Sequence, residues 1–332
     1  MSDDRDLAAL KSELRQAGLF RKRPAYYARK LAEAGALVTV SLGMVVTAGP
    51  SPLQLISAVL LAVAFTQIGF LGHDAGHRQV FQSEWKNDAL GLAFVPLIMG
   101  FSYGWWVEKH NRHHVHPNRL DHDPDIDFPM VIFTPEQLTD RPNRFRFIIR
   151  HQALFFFPLL TFLAYSLRRD AIRFLWQRRS AHRAVDTALL LAHGCWYGAL
   201  VFSALGLGYG LAFVAVHQAF LGVFLGSAFA INHKGMPILG HTDQLSYLER
   251  QVLTTRNLRA HPVTDFWYGP LACQIEHHLF PGMPRCHLRR AAPFVRRFCA
   301  ARGVAYHETG VAASYREVLG HLHSVSAPLR TS

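Results

Sequence analysis

The 332-residue sequence is poor in charge and in cysteine. Only 17% of its residues are Asp, Glu, Lys or Arg while 50% are hydrophobic, a balance well short of the roughly 25% charge of an ordinary soluble domain. The four cysteines, Cys195, Cys273, Cys286 and Cys299, form no CxxC pair and are too sparse for a disulfide scaffold, so free thiols are expected. The opening 30 residues lack the short apolar core and cleavage site of a signal peptide. They read instead as a polar cytoplasmic arm in which Leu7, Leu10 and Leu14 mark a weakly amphipathic helix. Lys and Arg are missing altogether from Leu31 to His77 and from Ala184 to His233.

Long uncharged runs occupy those two basic-free stretches. They fall at about 34–50, 52–72, 185–205 and 207–231, each close to the roughly 20 residues that a membrane-spanning helix needs. Gly49, Pro50 and Ser51 separate the first pair, and a short glycine-containing turn separates the second. If each pair is a helical hairpin, every basic segment lies on one face of the bilayer, which the positive-inside rule makes cytoplasmic. The formal charge of +12 then needs no nucleic-acid partner. Ala89–Val107 and Gln152–Leu167 are also uncharged, but letting them cross would strand basic residues on the wrong face. They are expected as interfacial or re-entrant helices. The predicted fold is therefore all-α and integral to the membrane, with four transmembrane helices in two hairpins, interfacial helices and a cytoplasmic histidine-rich helical cap. Its expected organisation is an N-terminal arm over 1–30, a membrane domain over 31–323 and a flexible tail over 324–332.

Twenty histidines are present, and eight of them have ligand-like spacing. HDAGH places His73 and His77 at i and i+4, on one helical face just past the second run. HNRHH places His110, His113 and His114 on one face, and QIEHH repeats the spacing with Gln274 ahead of His277 and His278. His233, at the cytoplasmic end of the last run, is the eighth. Imidazole suits zinc, copper and iron, provided that an acceptor orients the second ring nitrogen. Asp74, Glu108, Asp121, Asp123, Asp125, Asp127 and Glu276 lie within or beside the clusters. Eight imidazoles exceed the needs of one ion, so two metals are the economical reading. His116, His122, His241 and His261 read as ordinary polar residues. His193 and His217 fall within spans at similar depth, where they are expected to bond each other. His217 would lie about 24 Å along its helix from His233, too far to join a metal there.

In that order around two hairpins, HDAGH, HNRHH and QIEHHLFPGMPR resemble the three histidine boxes of the membrane fatty-acid desaturase family. The resemblance covers about residues 30–315. It is nearest to bacterial acyl-CoA or acyl-lipid desaturases and to the front-end, linoleoyl-CoA-type subgroup, which share the glutamine of the third box. INHKGMP around His233 resembles that subgroup as well.

The resemblance implies a non-haem diiron centre with His73, His77, His110, His113, His114, His233, His277 and His278 as ligands. Gln274, Asp74 and Glu276 would stand behind them or act through water, and no catalytic residue apart from the ligands is implied. It further implies molecular oxygen as co-substrate and removal of two hydrogens from an acyl chain to leave a cis double bond. No haem-binding HPGG stretch occurs, so electrons are expected from a separate ferredoxin, cytochrome b5 or flavin/iron-sulfur reductase fed by NAD(P)H. Where relatives carry a glycine- and asparagine-rich segment before the third box, this chain has GPLAC, Gly269 to Cys273.

Tyr103, Trp105 and Trp106 precede the second box, and Trp267 and Tyr268 the third. They are candidate walls of a substrate tunnel, although such aromatics equally suit an interfacial belt. Two other readings compete. One is hydroxylation, epoxidation or a sphingolipid or carotenoid substrate on the same scaffold. The other is a histidine-rich metal transporter or sensor, which would be expected to place ionisable groups through its spans, where this chain has little beyond His193 and His217.

Overall fold

The structure is a computed structural model that describes residues 2–178 and 182–331. In chain order, α1 covers Ser2–Gln16, α2 Pro24–Thr47 and α3 Leu53–Gly76. Helix α4, Glu84–Leu92, runs into a π-helical turn at Ala93–Met99, and α5 follows at Tyr103–Val115. Then come α6 (Arg146–Arg150), α7 (Gln152–Leu160), α8 (Leu163–Gln177) and α9 (Arg183–His233). The remaining helices are α10 (Tyr247–Leu253), α11 (Pro262–Tyr268), α12 (Gln274–Leu279), α13 (Arg285–Ala300), α14 (Val311–Val325) and α15 (Pro328–Thr331). Among the described residues the strands are β1, Asn257–Leu258, and β2, Glu308–Thr309, paired in parallel. The chain divides into two compact units: Lys22–Glu108 with Pro158–Ser227, and the N-terminal residues to Arg21 with Lys109–Phe157 and the segment from Ala228 onward.

The first of these units is built on the α2–α3 hairpin. Pro24 starts α2 where a missing N–H costs nothing, and Gly49, at φ +60°, turns the chain between the helices. Helix α3 is the buried one. Gly69, Gly72 and Gly76 lie along one face of it, and a Cβ at these positions would meet Met99, Val95 and the Trp106 ring. Such small-residue faces allow close packing in lipid, where no hydrophobic force joins helices. Large apolar side chains such as Val40, Val46, Ile56, Leu191 and Leu207 are instead exposed, as a lipid-facing surface requires.

The 51 residues of α9 would span about 76 Å if straight, more than twice the roughly 30 Å hydrocarbon core. They are not straight. Gly206 adopts φ 68°, ψ −178°, a conformation essentially reserved for glycine. The Tyr197 hydroxyl lies 2.7 Å from His217 Nδ1, although the two residues would be about 30 Å apart on an unbroken helix. The two arms of α9 therefore fold back on each other. The expected bond between His193 and His217 is replaced by a ring between them: Tyr197 stacks on His193 at 5.5 Å and bonds His217, while His193 Nδ1 donates to the Leu97 carbonyl.

Helices α2, α3 and α9 are long and apolar enough to cross a membrane, and the pair comprising α4 with its π turn and α5 meets the same criterion while bending by 109°. Gly100, at φ +74°, lies at that bend. The stretch Ala89–Val107 is thus a broken span or a re-entrant loop, and not one straight crossing.

In the other unit, Leu10 and Leu14 of α1 bury against a core that includes Val295 and Cys299 of α13, the amphipathic packing that the leucine spacing anticipated. Part of the segment expected as a loose tail forms α15 instead, because Leu329 is buried against Ile132 and Ile149. Ser332 lies outside the described residues.

Candidate metal centre

Four helices deliver the eight histidines. In α3 the last turn carries His73, and His77 caps it. Their rings are 4.8 Å apart, Asp74 Oδ1 lies 3.3 Å from His73 Nδ1, and the Trp106 indole packs against both rings. Helix α5 puts His110, His113 and His114 on one face, as its spacing requires. The buried Asp186 carboxylate caps the start of α5, accepting from Ser102 Oγ at 2.6 Å and from the backbone N–H of Tyr103 and Gly104 at 3.2 and 3.0 Å. Helix α9 ends at His233, and the short α12 carries Gln274, His277 and His278.

Within the unit that holds α5, α12 and the end of α9, His113, His233 and His278 converge. Their ring centroids are 4.6, 5.1 and 4.8 Å apart in pairs, and one ring nitrogen from each falls within 4.8 Å of the others. The opposite nitrogen of each ring is tethered. His113 Nδ1 lies 3.0 Å from both Asp123 oxygens, His233 Nδ1 is 3.1 Å from the Thr254 carbonyl, and His278 Nδ1 is 2.8 Å from Gln251 Oε1. Carboxylate and carbonyl oxygens accept only, so each Nδ1 must donate, and each Nε2 then presents a lone pair. His113 Nε2 and His233 Nε2 face one another at 3.3 Å. With both rings neutral, two lone pairs in that position repel, and a proton or a metal ion between them relieves this. On α5, His110 Nε2 and His114 Nε2 are 3.1 Å apart. His277 and His110 each bring a ring nitrogen within 4.8 Å of the other, and His277 stands edge-on to His114 at 4.7 Å. An all-imidazole donor set with oriented tautomers fits a borderline transition-metal ion such as iron.

Electrostatics agree with this. For His113 burial disfavours the charged ring, but the Asp123 and Asp125 carboxylates outweigh it and raise the affinity for positive charge. That preference can be met by a metal as well as by a proton. Lys234 Nζ donates to the Asp125 carbonyl at 2.6 Å over the Phe133 ring, and Lys109 pairs with the Asp125 carboxylate. The anionic side of His113 is therefore itself neutralised.

Not every expected partner takes its expected place. Asp74 stands beside His73, but Glu276 accepts from Asn257 Nδ2 and the Tyr306 hydroxyl, both at 2.7 Å, in a pocket whose desolvation lifts its carboxyl to about 7. Gln274 puts its amide 3.0 Å from His233 Nε2, and its buried Oε1 has no hydrogen-bond partner among the described residues. Of the aromatics, Trp106 touches the His73 and His77 rings, and Tyr103 stacks on Trp106 at 6.4 Å. Trp105 is buried, Tyr268 bonds the Tyr315 hydroxyl at 3.2 Å, and Trp267 is half-buried. Sequence reasoning missed Gln251, which joins two histidines by donating to the His114 carbonyl at 2.8 Å while accepting from His278. It also missed Asn118, whose amide donates to the His233 carbonyl at 2.9 Å.

Comparison with known proteins bears on what such a site is for. The family model described as fatty acid desaturase matches residues 50–310. The chain belongs to the fatty acid desaturase family. It is 32% identical to an acyl-lipid (9-3)-desaturase of Physcomitrium patens over 98% of this chain and 63% of that protein. It is 30% identical to a Delta(8)-fatty-acid desaturase of Helianthus annuus (91% and 69%) and 31% identical to a Delta(6)-fatty-acid desaturase of Caenorhabditis elegans (75% and 60%). The chain thus spans between 60% and 69% of the length of these three relatives.

Proposed function

We propose that this chain desaturates a fatty acyl group, on coenzyme A or in a lipid, at a histidine-held diiron centre, using molecular oxygen and leaving a cis double bond. The observation that carries the reading is the convergence of three tethered imidazoles, His113, His233 and His278, in a member of the fatty acid desaturase family. Family relatives named for acyl-lipid (9-3), Delta(8) and Delta(6) fatty-acid substrates support an acyl chain over a carotenoid or a transported ion.

In this reading one iron is held by His113, His233 and His278, with the Gln274 amide beside them, directly or through water. His73, His77, His110, His114 and His277 are the remaining proposed iron ligands. When bound, the irons supply the oxidising chemistry that removes hydrogen from an unactivated methylene. The protein's own part is orientation. Asp123, Thr254 and Gln251 fix the imidazole tautomers, and Asp74 does the same for His73. The aromatics Tyr103, Trp105, Trp106, Trp267 and Tyr268 are assigned to a dry channel that presents one carbon pair to the centre. Breaking such C–H bonds needs no separate acid or base. Electrons come from a separate donor of the ferredoxin, cytochrome b5 or reductase type.

The same reading takes residues 31–323 as the membrane desaturase domain, crossed by α2, α3 and the two arms of α9. Both termini and the metal centre then face the cytoplasm at the inner membrane, the orientation that the basic segments support. Mass-spectrometric mapping of double bonds in host lipids with and without the chain tests the activity. A new alkene at a fixed position is expected. A hydroxylated product with no new alkene would replace desaturation by hydroxylation on the same scaffold.

A further inference from the structure

The last turn of a helix leaves its carbonyls without intrahelical donors, and here that turn delivers a ligand. At the end of α9 a single residue meets two of these carbonyls and the one just beyond the helix. Arg256 is fully buried. Its Nε donates to the Ile231 carbonyl at 2.8 Å, its Nη2 to the Lys234 carbonyl, and its backbone N–H to the Asn232 carbonyl at 3.0 Å. Asn232 returns the contact, its amide donating to the Arg256 carbonyl at 2.8 Å. The residues bound are the two before His233 and the one after it.

The guanidinium is balanced from α14. Glu317 pairs with Arg256 Nη1, and the hydroxyl of Ser314 donates to the Ile231 carbonyl at 2.5 Å. Gly235, at φ +83°, packs so close to the Glu317 backbone carbonyl that a Cβ would lie 2.9 Å from it. Helix α14 begins at Val311, just past the segment matched by the family model.

We propose that Arg256 is a positioning residue for the metal centre: with Glu317 and Ser314 it forms a cap in trans on α9 that fixes His233, so that α14 is a strut of the centre. A buried arginine serves here because its planar fork reaches several carbonyls at fixed angles and its charge opposes the negative end of the helix dipole. The proposal rests on the reading of His233 as a ligand. It goes beyond that reading in assigning occupancy of one metal position to residues that touch neither metal nor substrate.

The test is metal binding by the full chain purified in detergent, loaded with cobalt(II) alone and titrated with a chelator, alongside iron content as isolated. Arg256→Gln is expected to release the ion held by His233 at roughly 10- to 100-fold lower chelator than wild type while the other ion stays. The ligand-field absorption of cobalt should change for one position only, and Arg256→Lys should restore part of the loss. Unchanged titration in Arg256→Gln, or equal weakening of both ions with no rescue by lysine, would overturn the proposal. Should Arg256→Gln fail to accumulate, Glu317→Gln and Ser314→Ala carry the same test, since each removes one member of the cap. A wild-type chain that binds no cobalt or iron at all would instead overturn the metal-centre reading itself.

Discussion

Asp123→Asn is the most discriminating change in the site, because it alters a charge and hardly any volume. The wild-type carboxylate accepts four contacts from three donors: His113 Nδ1 at 3.0 Å reaches both oxygens, the N–H of Asn118 reaches one at 2.7 Å and the N–H of Asp125 the other at 2.8 Å. Every one of these neighbours donates. An asparagine can turn its single oxygen to the N–H of Asp125 or to that of Asn118, within reach of His113 either way, and its NH2 then meets the other N–H. One buried N–H is left unmet, at a cost of about 1–3 kcal/mol. The imidazole also loses the anion that makes it a stronger ligand, which typically lowers metal affinity 10- to 100-fold, or about 1.4–2.8 kcal/mol. The assay is iron retention by detergent-purified protein across a chelator series. Release at a chelator concentration 10- to 100-fold below wild type is expected. Release at the wild-type concentration would refute the claim that Asp123 fixes the tautomer of a metal-bound His113.

Other perturbations probe the remaining links. His114→Ala should abolish new double bonds in host lipids while the protein stays in the membrane fraction, and full activity would remove His114 from the ligand set. Asp186→Ala removes three hydrogen bonds from the start of α5 and should lower stability by about 2 kcal/mol or more, read as a lower melting midpoint in detergent. Gly76→Val drives a side chain into the Trp106 ring and should cost about 1–3 kcal/mol by overpacking, with a melting midpoint equal to wild type counting against that packing.

Much of this architecture was legible in the sequence for definable reasons. Ligand spacing on α5 and α12 follows from helical periodicity, and the hairpins follow from uncharged runs broken by Gly49 and by the glycine-containing turn at Gly206. Spacing says nothing, however, about partners distant in sequence. Gln251 and Thr254 reach His278 and His233 from 27 and 21 residues away, and no local pattern announces them. Adjacency misled in the case of Glu276. Neighbouring residues on a helix point about 100° apart, so a glutamate beside His277 turns toward Asn257 and Tyr306 instead. Two histidines at matched depth suggested a pair, yet Tyr197 stands between them because the arms of α9 meet in a register that the sequence leaves open.

The most direct test of the account is the metal content of the intact, detergent-purified chain, measured together with its histidine dependence. About two irons per chain are expected from a donor set of this size, falling when His113, His233 or His278 is replaced by alanine. A folded chain that carries no iron above background, or whose iron is indifferent to those three replacements, would contradict it.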